Sequence, residues 1–208
     1  MAIEVIFDVE TQKLFSDILT EDPADLGISV VSVYKREVDE GGNELSGEMK
    51  TFWHPSAAIS PVIQEMWEWF ESADRIIGFN SKHFDIPALR PHYNKDFSTL
   101  PHFDILEKVK VAIGRRISLN ALAQETLGEN KIDVGTNAVY YWANRTEENY
   151  HKLQKYCESD VRITRDLYDY GRKNKNLKYM DTKWNTRTTI PIDFSYPPQK
   201  IESQIGLF

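Results

Sequence analysis

At 208 residues and 41% hydrophobic content, the chain supplies one substantial core and too little for a second full domain. Its single cysteine, Cys157, excludes an internal disulfide and a cysteine zinc cluster; with no membrane-length apolar run and no basic, apolar leader, the chain reads as soluble and cytoplasmic. A net charge of −7 argues against a nucleic-acid coat protein but not against an enzyme that binds its own metal ions, because clustered carboxylates lower the charge of the metal-free chain.

Along the chain, Ile3, Val5 and Phe7 alternate with less apolar neighbours and predict a first strand that ends in Asp8 and Glu10. ISVVSVYKREV, residues 28 to 38, reads as a second strand, and the GGNE turn at 41 to 44 leads to a third over EMKTFWH, giving a meander. Ser60 and Pro61 suggest a helix N-cap and first turn, with Val62, Ile63, Met66, Trp67 and Phe70 at helical spacing. RIIGFN, 75 to 80, is a short buried strand entering a helical SKHFDIPALRPHY. PHFDILEKVK fits strand or helix, whereas ISLNALAQETLG is a helix with Ser118 as cap and Gly128 as stop. Residues 146 to 174 form a long charged helix, and the pattern is lost from Asn176. The expected organisation is one α/β domain over residues 1–175 and a partly ordered extension over 176–208.

The acids carry the chemistry. In a strand, residues two apart face one side, so Asp8 and Glu10 project together. Alone, such a pair is more readily a solvated strand end. Mg²⁺ or Mn²⁺ would also account for it, since hard cations take carboxylate oxygens. Asp85 follows a buried strand at a helix entrance, where it either serves the site or interacts with the helix dipole. Tyr156 and Asp160 share a helix face, and Leu153, Val161, Thr164, Leu167 and Tyr168 mark much of the inward side, so Asp160 points inward and requires a counter-charge. Arg162 and Arg165 lie elsewhere around the helix.

FDVET, GFNSKHFD and YCESD together resemble the three motifs of the DEDD 3′-5′ exonuclease superfamily. The resemblance covers roughly residues 1 to 174 and implies a ribonuclease H-like fold, a mixed β-sheet flanked by helices, with Asp8, Glu10, Asp85 and Asp160 as the four acids. Tyr156 matches the tyrosine branch; the histidine branch would need His where this chain has Lys155. The wording is similar to proofreading domains of family-B DNA polymerases and related stand-alone exonucleases, in Asn80 ahead of Phe84 and Asp85 and in SLNALAQETLG. By that likeness Asp8, Glu10 and Asp160 hold one divalent ion, Asp8 bridges to a second served by Asp85, and Tyr156 positions the attacking water. It also implies that Thr11, Asn80 and Phe84 meet the terminal nucleotide, against the plainer roles of turn residue and core aromatic. Lys82, His83 and Arg90 are candidate phosphate contacts or solvated surface, and Asp104 fits none of the acid positions.

The last five residues, QIGLF, resemble the bacterial sliding-clamp binding pentapeptide, with Gln204, Ile205, Leu207 and Phe208 as contact residues and Gly206 a departure from it. The alternative is that the tail folds onto the core. The favoured partner is single-stranded DNA or a DNA 3′ end. An exoribonuclease, or a silent binding module, would carry much of the same sequence.

Overall fold

The computed structural model describes residues 1–129, 135–181 and 183–195. β1 (Ala2–Thr11) is the middle strand of a five-stranded mixed sheet in the order β3-β2-β1-β4-β5. On one side β2 (Ile28–Val38) and β3 (Glu44–Trp53) complete the antiparallel meander. On the other, β4 (Arg75–Gly78) and β5 (His102–Asp104) run parallel to β1.

A strand this central is covered on both faces. Val5, Phe7 and Val9 pack in one cluster with Phe70 of α1 (Trp67–Glu71) and with Ile86 and Leu89 of α2 (Asp85–Leu89). Ile6 packs in another with Val161 and Leu167 of α6 (Glu147–Asn174). Alternation along β1 therefore sends Glu4, Ile6, Asp8 and Glu10 toward α6. Glu4, one of the less apolar neighbours along this strand, is nonetheless completely buried. Its carboxylate accepts hydrogen bonds from Arg36 at 2.7 Å, the Tyr168 hydroxyl at 2.9 Å and Arg172 at 3.2 Å, which offset the loss of hydration.

The Glu4 contact also sets the position of α6 along the strand. From Tyr168 back to Asp160 is about 12 Å along a helix. From Glu4 to Asp8 is about 13 Å along a strand. Once Tyr168 meets Glu4, Asp160 comes to lie over Asp8. Thr146 begins α6 by accepting the Asn149 N–H at 3.2 Å, and Lys175, at φ 59°, ends it.

The remaining α-helices among the described residues are α3 (Ile105–Ile113), α4 (Leu119–Leu127) and α5 (Gly135–Asn144). The ambiguous PHFDILEKVK is both elements in turn, β5 and then α3, with Asp104 capping the helix through the Leu106 and Glu107 N–H groups. Ser118 caps α4 at 3.2 Å and Gly128 stops it at φ 77°, matching the expected cap and stop.

Two expectations are corrected. The helix foreseen from Ser60 does not start there: Val62 is extended and bridges to Trp53, whose N–H donates to the Pro61 carbonyl, so this chain edge joins the sheet before α1 begins. The stretch from Asn176, read as partly ordered, is a hairpin of β6 (Asn176–Asp181) and β7 (Thr186–Pro191). Leu177, Tyr179, Ile190, Ile192 and Phe194 are buried in the same cluster as Ile6 and Leu167, so the packed core continues to residue 195.

Candidate active site

The sheet opens beside Asp8. Pairing between β1 and β4 covers Glu4 to Ile6 and stops, while β1 continues to Thr11. The chain leaving β4 folds back sharply: a Cβ on Gly78 would lie 2.5 Å from the Ser81 Cβ, so only glycine fits. Asn80 takes a left-handed backbone, φ 65°, which its short polar side chain tolerates. The Asp104 carboxylate fixes this turn by accepting the N–H groups of Asn80 at 2.9 Å and Lys82 at 3.0 Å, a structural task. The turn delivers Phe84 and Asp85 to the opening, outside the carboxyl ends of two parallel strands, where ligand sites of α/β sheets form.

Carboxylate oxygens of Asp8, Glu10 and Asp160 lie within 4.8 Å of one another. Asp160 is 3% exposed and Glu10 9%. Three hard oxygen donors converging at this distance suit a divalent cation, and together they can hold a metal ion. Asp85 lies outside that triplet but lines the same cleft, 4% exposed. Burial pushes its carboxyl well above the usual carboxylate range; the charges of Asp104 and Asp160 add to this, and backbone hydrogen bonds from Asp85 itself and Val9 oppose it. Tyr156, one helical turn before Asp160, faces the acids, and its hydroxyl is driven up first by burial and then by Glu10, Asp160 and Asp8. Cys157 packs beneath, its thiol 3.4 Å from the Asp8 carbonyl and 3.7 Å from the Asp8 carboxylate.

Two clefts flank the acids. One, about 270 Å³, is lined by all four acids with Tyr156, Thr11, Asn80 and Phe84, so every expected catalytic and substrate residue meets there. The other, about 430 Å³, runs from Asp8 and Asp160 past Asn80 to Arg116 and the start of α4. Thr11 is 7% exposed and its hydroxyl donates to the Lys13 carbonyl at 2.9 Å. The Asn80 side-chain oxygen accepts from Arg116 at 2.6 Å, and the Phe84 ring lies edge-on to Phe15 at 6.1 Å. A larger cavity, about 990 Å³, lies at the other end of β1 beside Met1 and Arg172; among the described residues no group of metal-ligating side chains meets there.

Lys13, Phe15 and Arg116 also line the clefts, outside the three motifs. Phe15 had a faint signal, an aromatic in a polar loop just after the acids. Arg116 had none, because only the fold carries the turn between α3 and α4 to Asn80. Lys82 is paired with Glu107 at 2.7 Å and Arg90 with Asp22, and neither lines the clefts. Arg162 pairs with Glu129 and Asp166, and Arg165 with Asp166. Gln204 to Phe208 lie outside the described residues. No helix among the described residues is long and apolar enough to cross a membrane.

The family model described as RNase_H superfamily matches residues 5–171. Among solved structures, the chain is similar to the family B DNA polymerase from the hyperthermophilic archaeon Pyrobaculum calidifontis, with a TM-score of 0.57 and 16% identity. The match covers 82% of this chain and 24% of the polymerase chain, so the likeness concerns about a quarter of that protein. No curated protein matches the chain.

Proposed function

The chain belongs to the RNase H superfamily, and from that premise we propose that it is a metal-dependent 3′-5′ exonuclease acting on single-stranded DNA or DNA 3′ ends. The observation that carries this reading is the convergence of Asp8, Glu10 and Asp160 within 4.8 Å, in a cleft that also holds Asp85 and Tyr156. Asp8, Glu10 and Asp160 would hold one Mg²⁺ or Mn²⁺, and Asp85 would serve a second with Asp8. Bound there, the ions supply an activated water and neutralise charge on the phosphate and the departing oxygen.

The chain's own groups set the reacting geometry. The Tyr156 hydroxyl, protonated at neutral pH, holds the attacking water by hydrogen bonding. Thr11 and Asn80 position the terminal sugar and phosphate, and Phe84 with Phe15 offers aromatic faces and edges to the last base. Water adds to phosphorus, the bond from phosphorus to the preceding 3′ oxygen breaks, and that oxygen takes a proton. The products are a nucleoside 5′-monophosphate and a strand shorter by one residue.

Digestion of 5′-labelled single-stranded DNA with Mg²⁺ or Mn²⁺ tests the reading. Stepwise shortening from the 3′ end is expected; internal cuts, or first release of the labelled nucleotide, would refute it. RNA digested alongside discriminates the alternative, an exoribonuclease, which faster RNA shortening would favour. No digestion under any condition would favour a silent binding module.

The sequence QIGLF further supports tethering to a bacterial sliding clamp in replication or repair, which would raise the enzyme's effective concentration at DNA ends. Deleting residues 204 to 208 is expected to abolish binding to purified clamp in a pull-down, with exonuclease activity on free oligonucleotides retained. Unchanged clamp binding would remove the tether.

A further inference from the structure

The hairpin of β6 and β7 does more than close the core. Trp184, at its tip, is 69% exposed, the most exposed of the five tryptophans. A single exposed aromatic is ordinary. Its placement narrows what it can meet, because the hairpin packs along α4, whose first residues line the second cleft. Near its start, Lys178 N–H donates to the Thr126 hydroxyl at 2.9 Å, toward the C-terminal end of α4. Three residues on, the Asp181 carboxylate accepts from Arg115 at 3.2 Å, and the Arg115 guanidinium lies 4.8 Å over the Tyr179 ring. β6 thus runs back along α4 toward its N-terminus, where Arg116, Ser118 and Leu119 line the cleft beside Asp8 and Asp160. Opposite Met180, the Arg187 guanidinium still donates to Glu125 of α4 at 2.7 Å, and Lys183 and Trp184 follow Asp181 by two and three residues.

Two hydrogen bonds tie the described residues of the tip. The Lys183 N–H donates to Asp181 at 2.9 Å and the Thr186 hydroxyl donates to the Trp184 carbonyl at 2.9 Å. These bonds leave the indole presented outward with the Lys183 ammonium 4.8 Å from its ring. An exposed indole next to a cation matches the chemistry of single-stranded nucleic acid, a base to stack and a phosphate to meet. In a chain of net charge −7, a long-range electrostatic grip on phosphates is weak, so holding a strand falls to local contacts of this kind.

We propose that the hairpin tip is a second contact for single-stranded nucleic acid, with Trp184 stacking on a base 5′ of the terminal nucleotide as the strand leaves the cleft past Arg116. The assignment rests on the exonuclease reading above and extends it to how a longer strand is held.

The test uses the full chain with Trp184→Ala and Trp184→Phe. Anisotropy of a labelled oligothymidylate of about 15 nucleotides, long enough to cover a typical strand-binding surface, is measured with Ca²⁺ replacing Mg²⁺, and turnover is measured on the same strand and on a trinucleotide. Trp184→Ala is expected to weaken binding and raise KM on the long strand roughly tenfold, the scale of one stacked base. Turnover number and trinucleotide kinetics stay unchanged, Trp184→Phe keeps most of the affinity, and the defect persists at high salt, as stacking requires and phosphate contacts do not. Equal long-strand binding by Trp184→Ala, an equal loss on the trinucleotide, or a wild-type dimer that Trp184→Ala dissociates would overturn the assignment. If wild type cleaves and Trp184→Ala is indistinguishable from it, only the hairpin contact fails; if wild type neither binds nor cleaves any strand, the exonuclease reading fails and takes this contact with it.

Discussion

Replacing Asp160 with Asn is expected to lower phosphodiester hydrolysis at least about 10³-fold, the scale of losing several kcal/mol of charge stabilisation at the phosphate, while making the metal-free protein more stable. The two effects share one cause. Asp160 is 3% exposed and its carboxylate lies within 4.8 Å of those of Asp8 and Glu10. Without a cation these like charges repel, and the Asp85 carboxyl, raised first by burial, is raised further by the charges of Asp104 and Asp160. Asn keeps the shape and removes one charge, for a gain of about 1–2 kcal/mol in chelator. In a protein of this size that corresponds to a melting temperature higher by roughly 2–8 °C. A variant that stays active, or that melts lower in chelator with its circular dichroism altered, would show that Asp160 serves the fold rather than the site.

Phe194→Ala is expected to cost about 3–5 kcal/mol of stability, as the loss of a buried aromatic does. The Phe194 ring is 2% exposed, stacks on Phe103 at 5.3 Å and meets Tyr168 edge-on at 5.9 Å. A Cβ on Gly171 would come within 2.1 Å of it, so the helix surface is shaped to the ring. Truncation after Lys175 removes more. Besides Phe194 it strips away the apolar side chains of the hairpin and two acceptors of the buried Arg75, the Phe194 and Ser195 carbonyls at 2.8 and 2.6 Å. The truncated chain is expected to lose cooperative unfolding in denaturant titrations. A truncated chain that unfolds with an unchanged midpoint would mean that the hairpin is an accessory to an independent domain ending near residue 175.

What was legible in the sequence follows from how local its causes are. The shared face of Asp8 and Glu10 is a property of strand geometry alone, and the inward direction of Asp160 is a property of helix periodicity. The caps at Ser118 and Gly128 are likewise set within one turn. Glu4 was not legible, because a buried carboxylate is tolerable only through Arg36, Tyr168 and Arg172, which lie far along the chain. The hairpin was half legible: Leu177 and Tyr179, and Ile190 and Ile192, do alternate, but threonines, a proline and an exposed tryptophan dilute the pattern below what composition marks as core. The apolar spacing from Val62 to Phe70 misled for the opposite reason. Helical periodicity was present, but the hydrogen bond from Trp53 to the Pro61 carbonyl draws that edge into the sheet. At the site itself, Arg116 became visible only through the turn that carries it to Asn80.

The proposed chemistry depends on Asp8, Glu10 and Asp160 holding a divalent cation. Titrating the full chain with Mn²⁺ and reading free ion by electron paramagnetic resonance tests it directly, on wild type, Asp8→Ala and Asp160→Asn. Saturable binding by wild type, weakened at least about 10-fold in both variants because each removes a direct ligand, with both variants retaining wild-type circular dichroism, is the expected result. Equal Mn²⁺ binding by all three proteins, or none by wild type, would mean that these acids hold no such ion.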